Sequence, residues 1–304
     1  MKKLSGITLM MVCSLALSSC FDNSATENNE EISATNGSTK KTAATEWVKQ
    51  FEDTFDQGAS LSKWTKVQRT DYNSNYCDYK SAVPILQVRD GKGCLEIKTT
   101  KISQTKYQSG LVKSLYQYTP ENNTEYKIAA SIKLLAMDGA TYKSFSSTYG
   151  AWPAFWTVQE DGWPTFGEID IMEGYSFAPN TSRFASNLFY GTTQGTNQLG
   201  NQGERNYPST FNIDANNGWH LYECFVKMKD NAVTVTVKID NTVVSTYINS
   251  SVSKLNLNKF QKHNVVLNMN VGSNDSSFIN PNKINLFTTV IMWVDEVSVA
   301  KRSI

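Results

Sequence analysis

The sequence predicts an all-β fold, and three observations carry that expectation. Short runs with alternating apolar and polar residues recur along the chain, as in EYKIAASIKLL at 125–135 and NAVTVTVKI at 231–239, and a period of two is the mark of a strand with one buried face. Turn-forming clusters such as DGKG at 90–93 and PENN at 120–123 separate these runs. Apolar residues at helical spacing are nearly absent. Many short strands punctuated in this way make a β-sandwich or a barrel.

The chain opens with MKKLSGITLMMVCSLALSSC, which has two lysines, an apolar run too short to span a membrane, and small residues up to Cys20. This reads as an export signal rather than a helix of the fold. Its end, LSSC at 17–20, resembles a bacterial lipobox, which implies a cut before Cys20 and a lipid on its sulfur. Such a lipid tethers a protein to a membrane without a spanning helix and places it at the outer membrane or cell surface. Residues 1–19 are therefore the expected signal peptide. Residues 20–45 hold Asn, Thr, Ser, Glu and Ala with hardly a large apolar side chain, the composition of a flexible spacer. Residues 46–304 are the right size for one all-β domain, with no second linker and no internal repeat. A monomer is expected.

Within that domain the strands read in order from WVKQFEDTFDQG at 47–58, LSKWTKVQ at 61–68, LEIKTTKI at 95–102 and SGLVKSL at 109–115 to EYKIAASIKLL. Later strands read from FASNLFY at 184–190, GWHLYECFVK at 218–227, a valine and threonine hairpin about Asp240 and Asn241, NVVLNMNVGS at 264–273 and a terminal strand, TTVIMWVDEVSVAK. Aromatics make up 12% of residues and the net charge is +1, so there is no basic footprint for nucleic acid, and a neutral polysaccharide is the easier partner. Of the five cysteines, Cys13 leaves with the signal and Cys20 takes the lipid. The remaining three permit at most one bridge, for which Cys77 with Cys94, both near expected loops, is the first choice. Cys224, in the apolar LYECFV run, is expected as a buried thiol. None has zinc-site spacing.

The chemistry concentrates in GWPTFGEIDIMEGY at 162–175, where Glu168, Asp170 and Glu173 lie inside six residues. On a strand Glu168 and Asp170 share a face and Glu173 has the wrong parity to join them, which a single β-bulge after Asp170 restores. With Met172 taken as the inserted residue, the two glutamates stand about four strand steps apart, roughly 13 Å between Cα atoms at ~3.3 Å per step. Side chains leaning inward close that gap to ~5.5 Å, the carboxyl separation of a retaining glycosidase. Ile169, Ile171 and Met172 supply the apolar opposite face. Trp152, Trp156 and Trp163 lie just upstream, and aromatic faces beside acids suit a sugar, with apolar C–H faces and a polar rim. Each tryptophan also has a reading as sandwich core.

WPAFW at 152–156, WPTFGEIDIME at 163–173 and the late LNMNVGS and VDEVSV stretches together resemble glycoside hydrolase family 16. The resemblance covers most of the chain after about residue 46 and implies a concanavalin-like jelly-roll β-sandwich with a concave substrate cleft. It implies Glu168 as nucleophile, Asp170 as its electrostatic partner, and Glu173 as general acid and then base, with no cofactor. The bulged motif is similar to the laminarinase, agarase and endo-β-galactosidase branches. A structural calcium ion on the convex face of some relatives is a further implication, with Asp295 as a ligand.

Further candidates for the cleft are Arg183 and Tyr190, set against surface roles; His220, in a His-x-Tyr pair similar to one in the family, set against a core role; and Asn268 and Asn270, which share a strand face. A polar loop from 191 onward is placed to wall the cleft. The laminarinase pattern usually carries a histidine on the strand after the motif, whereas FASNLFYGT has none. The expected activity is endo-hydrolysis of β-1,3- or mixed-linkage glucan. The alternatives are an endo-β-galactosidase acting on galactose-containing chains such as mucin-type O-glycans, and a noncatalytic sugar-binding sandwich, which has no need of three intact acids.

Overall fold

The computed structural model of the chain describes residues 45–56, 58–72, 76–104, 106–143, 145, 148, 150–174, 184–195, 218–249, 259–272 and 287–304. Cys20, Arg183 and most of the polar loop after 191 lie outside the described residues.

In chain order the strands are β1 (Val48–Asp53), β2 (Trp64–Lys66), β3 (Arg69–Tyr72), β4 (Cys77–Tyr79), β5 (Ile85–Arg89) and β6 (Lys92–Ser103). There follow β7 (Lys106–Ser109), β8 (Leu111–Tyr118), β9 (Thr124–Asp138), β10 (Thr141–Lys143), β11 (Ala151–Val158) and β12 (Glu168–Gly174). The last six are β13 (Phe184–Phe189), β14 (His220–Lys229), β15 (Ala232–Ile239), β16 (Thr242–Ile248), β17 (His263–Val271) and β18 (Thr289–Ser303). Leu61–Lys63 forms a 3-10 turn.

These strands form a jelly-roll sandwich rather than a barrel. A 12-stranded sheet has the order β16-β15-β14-β9-β18-β6-β7-β4-β3, with β1 joined to β18, β10 to β9 and β5 to β6. A 6-stranded sheet has the order β13-β12-β11-β17-β8-β2. The terminal strand β18 is the spine of the large sheet: it pairs with β9 along its whole length, with β6 over its first half and with β1 over its second.

Three hairpins show why the chain turns where it does. Asp90 and Gly91, Asp230 and Asn231, and Asp240 and Asn241 each adopt two consecutive positive φ angles. That pairing matches the twist of the flanking strands, and Asp, Asn and Gly tolerate it best.

The core lies between the two sheets. Ile128, Ile132, Val226 and Val294 from the large sheet meet Phe155, Ile169, Ile171, Met172 and Leu267 from the small one, all fully buried. A second, small cluster of Cys94, Ile291 and Trp293 sits apart from this core and packs against Leu135 and Trp219. The Arg89 guanidinium lies 4.4 Å over the Trp293 ring, and the Lys92 ammonium 5.4 Å over Trp219.

That separation explains a correction. Cys77 and Cys94 are both buried and free, as is Cys224; Cys77 belongs to the main core and Cys94 to the small cluster, so the expected bridge does not form. Burial pushes the Cys77 thiol up to about 12 and Cys94 to about 11. Asp295, the calcium candidate, is in an ion pair with Lys92, and the described residues hold no cluster of His, Cys, Asp or Glu suited to a metal.

Candidate active site

The site is built on β12. Burial of Ile169, Ile171 and Met172, at about 1.5–3 kcal/mol each, outweighs any alternative register, because a one-residue slip turns carboxylates into the core. Two consecutive residues, Ile171 and Met172, both reach the core, and this requires the strand to bulge.

The ladders locate the bulge. Against β11, Met172 stands opposite Phe155 and Asp170 opposite Trp156, leaving Ile171 without a position of its own. Against β13, Asp170 to Glu173 spans three residues where Asn187 to Ala185 spans two. Toward β11 the skipped residue is therefore Ile171 rather than Met172, which corrects the sequence reading by one position. Glu168 pairs with Val158 and Glu173 with Ala154, four residues apart on β11. All three acids thus belong to the face of the small sheet that looks away from the core.

Each glutamate is gripped by its own indole. The Trp163 Nε1–H donates to Glu168 Oε2 at 2.8 Å, and the Trp152 Nε1–H donates to Glu173 Oε1 at 3.0 Å. Glu173 Oε2 accepts a second bond, from Asn187 Nδ2 at 2.8 Å. The Trp156 Nε1–H donates to Asn268 Oδ1 at 2.7 Å, and Asn268 Nδ2 donates to the Tyr79 hydroxyl at 3.2 Å. A depression lined by Trp152, Ala154, Trp156, Glu168, Glu173, Asn268 and Asn270 opens above these bonds. Among the described residues lining it, none is Lys or Arg.

Asp170 lies between the glutamates, 1% exposed, and neither of its oxygens meets an N–H or hydroxyl donor among the described residues. Burial, then repulsion from Glu173 and Glu168, raises its pKa well above the ordinary aspartate value. Glu168 is pushed up to about 8, first by burial and then by Glu173, against the opposing bonds from Trp163 and Asp170. Three carboxyls this close cannot all ionise. Burial and the two neighbouring glutamates hold Asp170, which lacks an N–H partner, toward its protonated form, and a proton on it is available to Glu168.

Of the sequence candidates, Glu168, Asp170, Glu173, Trp152, Trp156, Trp163 and Asn268 come together here. His220 does not. It lies on β14 of the large sheet, across the core from the cleft face, and its Nδ1 is 2.7 Å from Asp240 Oδ2. Tyr190 is 3% exposed and belongs to the main core rather than to a sugar-binding wall. Asn187 is the residue that sequence reasoning passed over. Its signal was the alternation of FASNLFY, which puts Ala185, Asn187 and Phe189 on one face once β13 is paired with β12. Phe189 stands opposite Glu168 in that ladder, and its ring centroid lies 6.4 Å from that of Trp163.

Comparison with known proteins converges on one chemistry. Residues 139–216 match the family model described as an XgeA-like, catalytic GH16 domain. The chain is 28% identical over 181 residues to a keratan-sulfate endo-1,4-beta-galactosidase of Sphingobacterium multivorum, covering 54% of this chain and 39% of the relative. It is 71% identical over 28 residues to the endo-1,3(4)-beta-glucanase xgeA of Emericella nidulans, covering 9% of this chain and 4% of the relative. The chain therefore spans well under half the length of either curated relative. In fold it is similar to the crystal structure of endo-1,3-beta-glucanase from Streptomyces sioyaensis, with a TM-score of 0.66 at 19% identity, covering 85% of this chain and 97% of that one.

Proposed function

We propose that this chain, a member of glycoside hydrolase family 16, is an endo-acting, retaining β-glycosidase. The observation that carries the reading is the bulge in β12, which brings Glu168 and Glu173 to one face four ladder positions apart, each held by a separate indole. In this reading Glu173 protonates the leaving oxygen while Glu168 attacks the anomeric carbon, and Glu173 then takes a proton from the water that releases the sugar. Asp170 donates to Glu168 as its charge forms, which lowers the cost of ionising a carboxyl in a dry site.

The sugar at the cleavage point is neutral in this reading, since the described residues of the depression supply indoles, amides and carboxyls but no cation. A β-1,3- or mixed-linkage glucan is the leading substrate, supported by the match across the motif to the glucanase of Emericella nidulans. A galactose-containing chain is the second reading. It is supported by the longer match to the keratan-sulfate galactosidase and by Phe189, which holds an apolar ring beside Trp163 on a strand that lacks histidine. Export and lipid attachment at Cys20 complete the proposal, resting on the LSSC junction.

The deciding experiment offers the purified protein laminarin, barley β-glucan, agarose, keratan sulfate and mucin glycans, and sizes the products. Internal cleavage of laminarin or barley glucan is the expected result. Cleavage of keratan sulfate or mucin chains alone moves the assignment to the second reading, and binding without cleavage of any polymer refutes the enzyme.

A further inference from the structure

The connection 159–167 carries Trp163, and with it the indole that holds Glu168. Within the connection the backbone is turned on itself by Trp163 N–H to Glu160 O at 3.1 Å, Thr165 N–H to Gly162 O at 2.9 Å and Gly167 N–H to Pro164 O at 3.0 Å. Gly195 N–H donates to the Trp163 carbonyl at 2.7 Å, the Phe189 ring lies beside Trp163, and the Lys113 and His263 side chains make polar contacts with the connection. Lys113 pairs with Glu160 at the surface, at 2.5 Å. His263, at the start of β17 and fully buried, places Nε2 at 2.7 Å from the Phe166 carbonyl.

A carbonyl oxygen only accepts, so Nε2 carries the proton and Nδ1 holds the lone pair. Nδ1 lies 3.0 Å from the Thr157 hydroxyl, which therefore donates to it. The Tyr118 hydroxyl, 3.0 Å from the same Thr157 oxygen, is then left to donate in turn. A single directed chain results, from Tyr118 through Thr157 and His263 to the Phe166 carbonyl. The ring is stacked on Phe260 at 5.3 Å and meets the edge of Tyr118 at 5.6 Å. Phe260 also fills the space beside Gly167, where an added Cβ would come within 2.2 Å of its ring, and Gly167 has φ +81. The residue immediately before the nucleophile candidate is thus set by the same packing.

We propose that His263 is a positioning residue for Glu168: its Nε2–H pins the Phe166 carbonyl, and so places the Trp163 indole on the carboxylate. The role needs a neutral ring, which gives one bond and accepts another. Burial keeps the ring neutral, lowering its pKa to about 4. Of the side chains around it, Thr157, Phe260 and Tyr118, the one that titrates is Tyr118, whose own burial holds it protonated. The inference rests on the retaining-glycosidase reading for its kinetic consequence, but not for the tether itself.

The test compares His263→Phe, which keeps an aromatic ring and removes both nitrogens, with Trp163→Phe and the double variant. Hydrogen exchange over residues 159–168 should speed up at least about ten-fold in His263→Phe while exchange in β9 and β18 is unchanged. Against the best polymer, kcat/KM should fall about ten- to a hundred-fold, a cost in keeping with misplacement of a reacting group by about 1 Å. The fall should be mainly in kcat, with the acid limb of the pH profile displaced upward as Glu168 loses its donor. In the Trp163→Phe background, His263→Phe should have less than about a two-fold further effect, since coupled residues are not additive. If His263→Phe does not fold, Thr157→Val, which removes the donor to Nδ1, should give the same pattern in smaller measure. Unchanged exchange in the connection overturns the tether whether or not the protein is active. Independent, multiplicative losses with an unmoved acid limb overturn the action through Trp163. Absence of turnover by wild type on every polymer refutes the enzyme reading and leaves the exchange measurement to decide the tether.

Discussion

Asp170 stands directly opposite Asn187 in the ladder between β12 and β13, and the Asn187 amide nitrogen is committed to Glu173 rather than to Asp170. Asp170 is left among carboxyls without an N–H donor, a costly arrangement for a buried group. The three acids are therefore held together at the expense of stability, and the expense depends on pH.

The sign follows from the direction of the shifts. Glu168 is raised to about 8 against an unfolded value near 4.3, so between these limits the folded state holds a proton that the unfolded state releases. Its contribution is full at low pH and is lost as pH rises toward 8. His263, lowered to about 4 against about 6.5 unfolded, acts with the opposite slope and only below that value. The window from pH 6.5 to 8 thus belongs to the carboxyls. Asp170→Asn supplies a donor without a charge, and it should raise stability at pH 8 by about 1–2 kcal/mol, roughly 3–6 °C in Tm. It should also flatten the fall from pH 6.5 to 8. Parallel melting curves for variant and wild type across that window would count against a protonated Asp170.

Replacing Asn187 acts on the other glutamate. Asn187→Ala removes a donor to Glu173, and loss of a bond to the ionised form raises a carboxyl pKa. The basic limb of the kcat/KM profile should move upward while kcat/KM falls about ten-fold. A fall with no movement of either limb would assign Asn187 to sugar binding instead.

The two glutamates separate by substrate chemistry. Glu168→Ala should lose about 10³-fold or more in kcat and still bind oligosaccharide, since a nucleophile's interaction is made chiefly in the transition state. Glu173→Ala should retain its first step on an aryl glycoside with a good leaving group, and added azide should restore turnover. Proton NMR of the first-formed product should show the β anomer, and an initial α anomer would remove both roles at once.

The lipid proposed at Cys20 is tested by location. Cys20→Ala should release the protein from the membrane fraction or leave its precursor uncut. Unchanged processing together with unchanged membrane association would show that LSSC is incidental.

Much of this site was legible before any contact was known, because strand parity is a local property. Glu168 and Asp170 sharing a face, Ile169 opposing them, and the need for one extra residue before Glu173 all follow from a period of two. The Asp240 and Asn241 hairpin was equally local, since those residue types tolerate positive φ wherever the chain carries them. Trp152 and Trp156 have the same parity, which a bulge near Pro153 would have broken, and the ladder to β17 runs from one to the other without a shift.

What tertiary structure decided is which strands meet. Ile171, and not Met172, is the skipped residue toward β11 because Phe155 and Trp156 pair around it. His220 and His263 look alike in sequence, each opening an apolar strand. One strand joins the large sheet, where His220 meets Asp240, and the other joins β11, where His263 reaches the Phe166 carbonyl just before β12. The role of Asn187 was passed over for the same reason, since its partner Glu173 is a neighbour only through the ladder. Cys77 and Cys94 are close in sequence, yet they pack into separate apolar clusters. Periodicity assigns a side chain to a face of its own strand; the partner across that face is set by long-range pairing, and hydrogen bonds over a few ångströms depend on the partner.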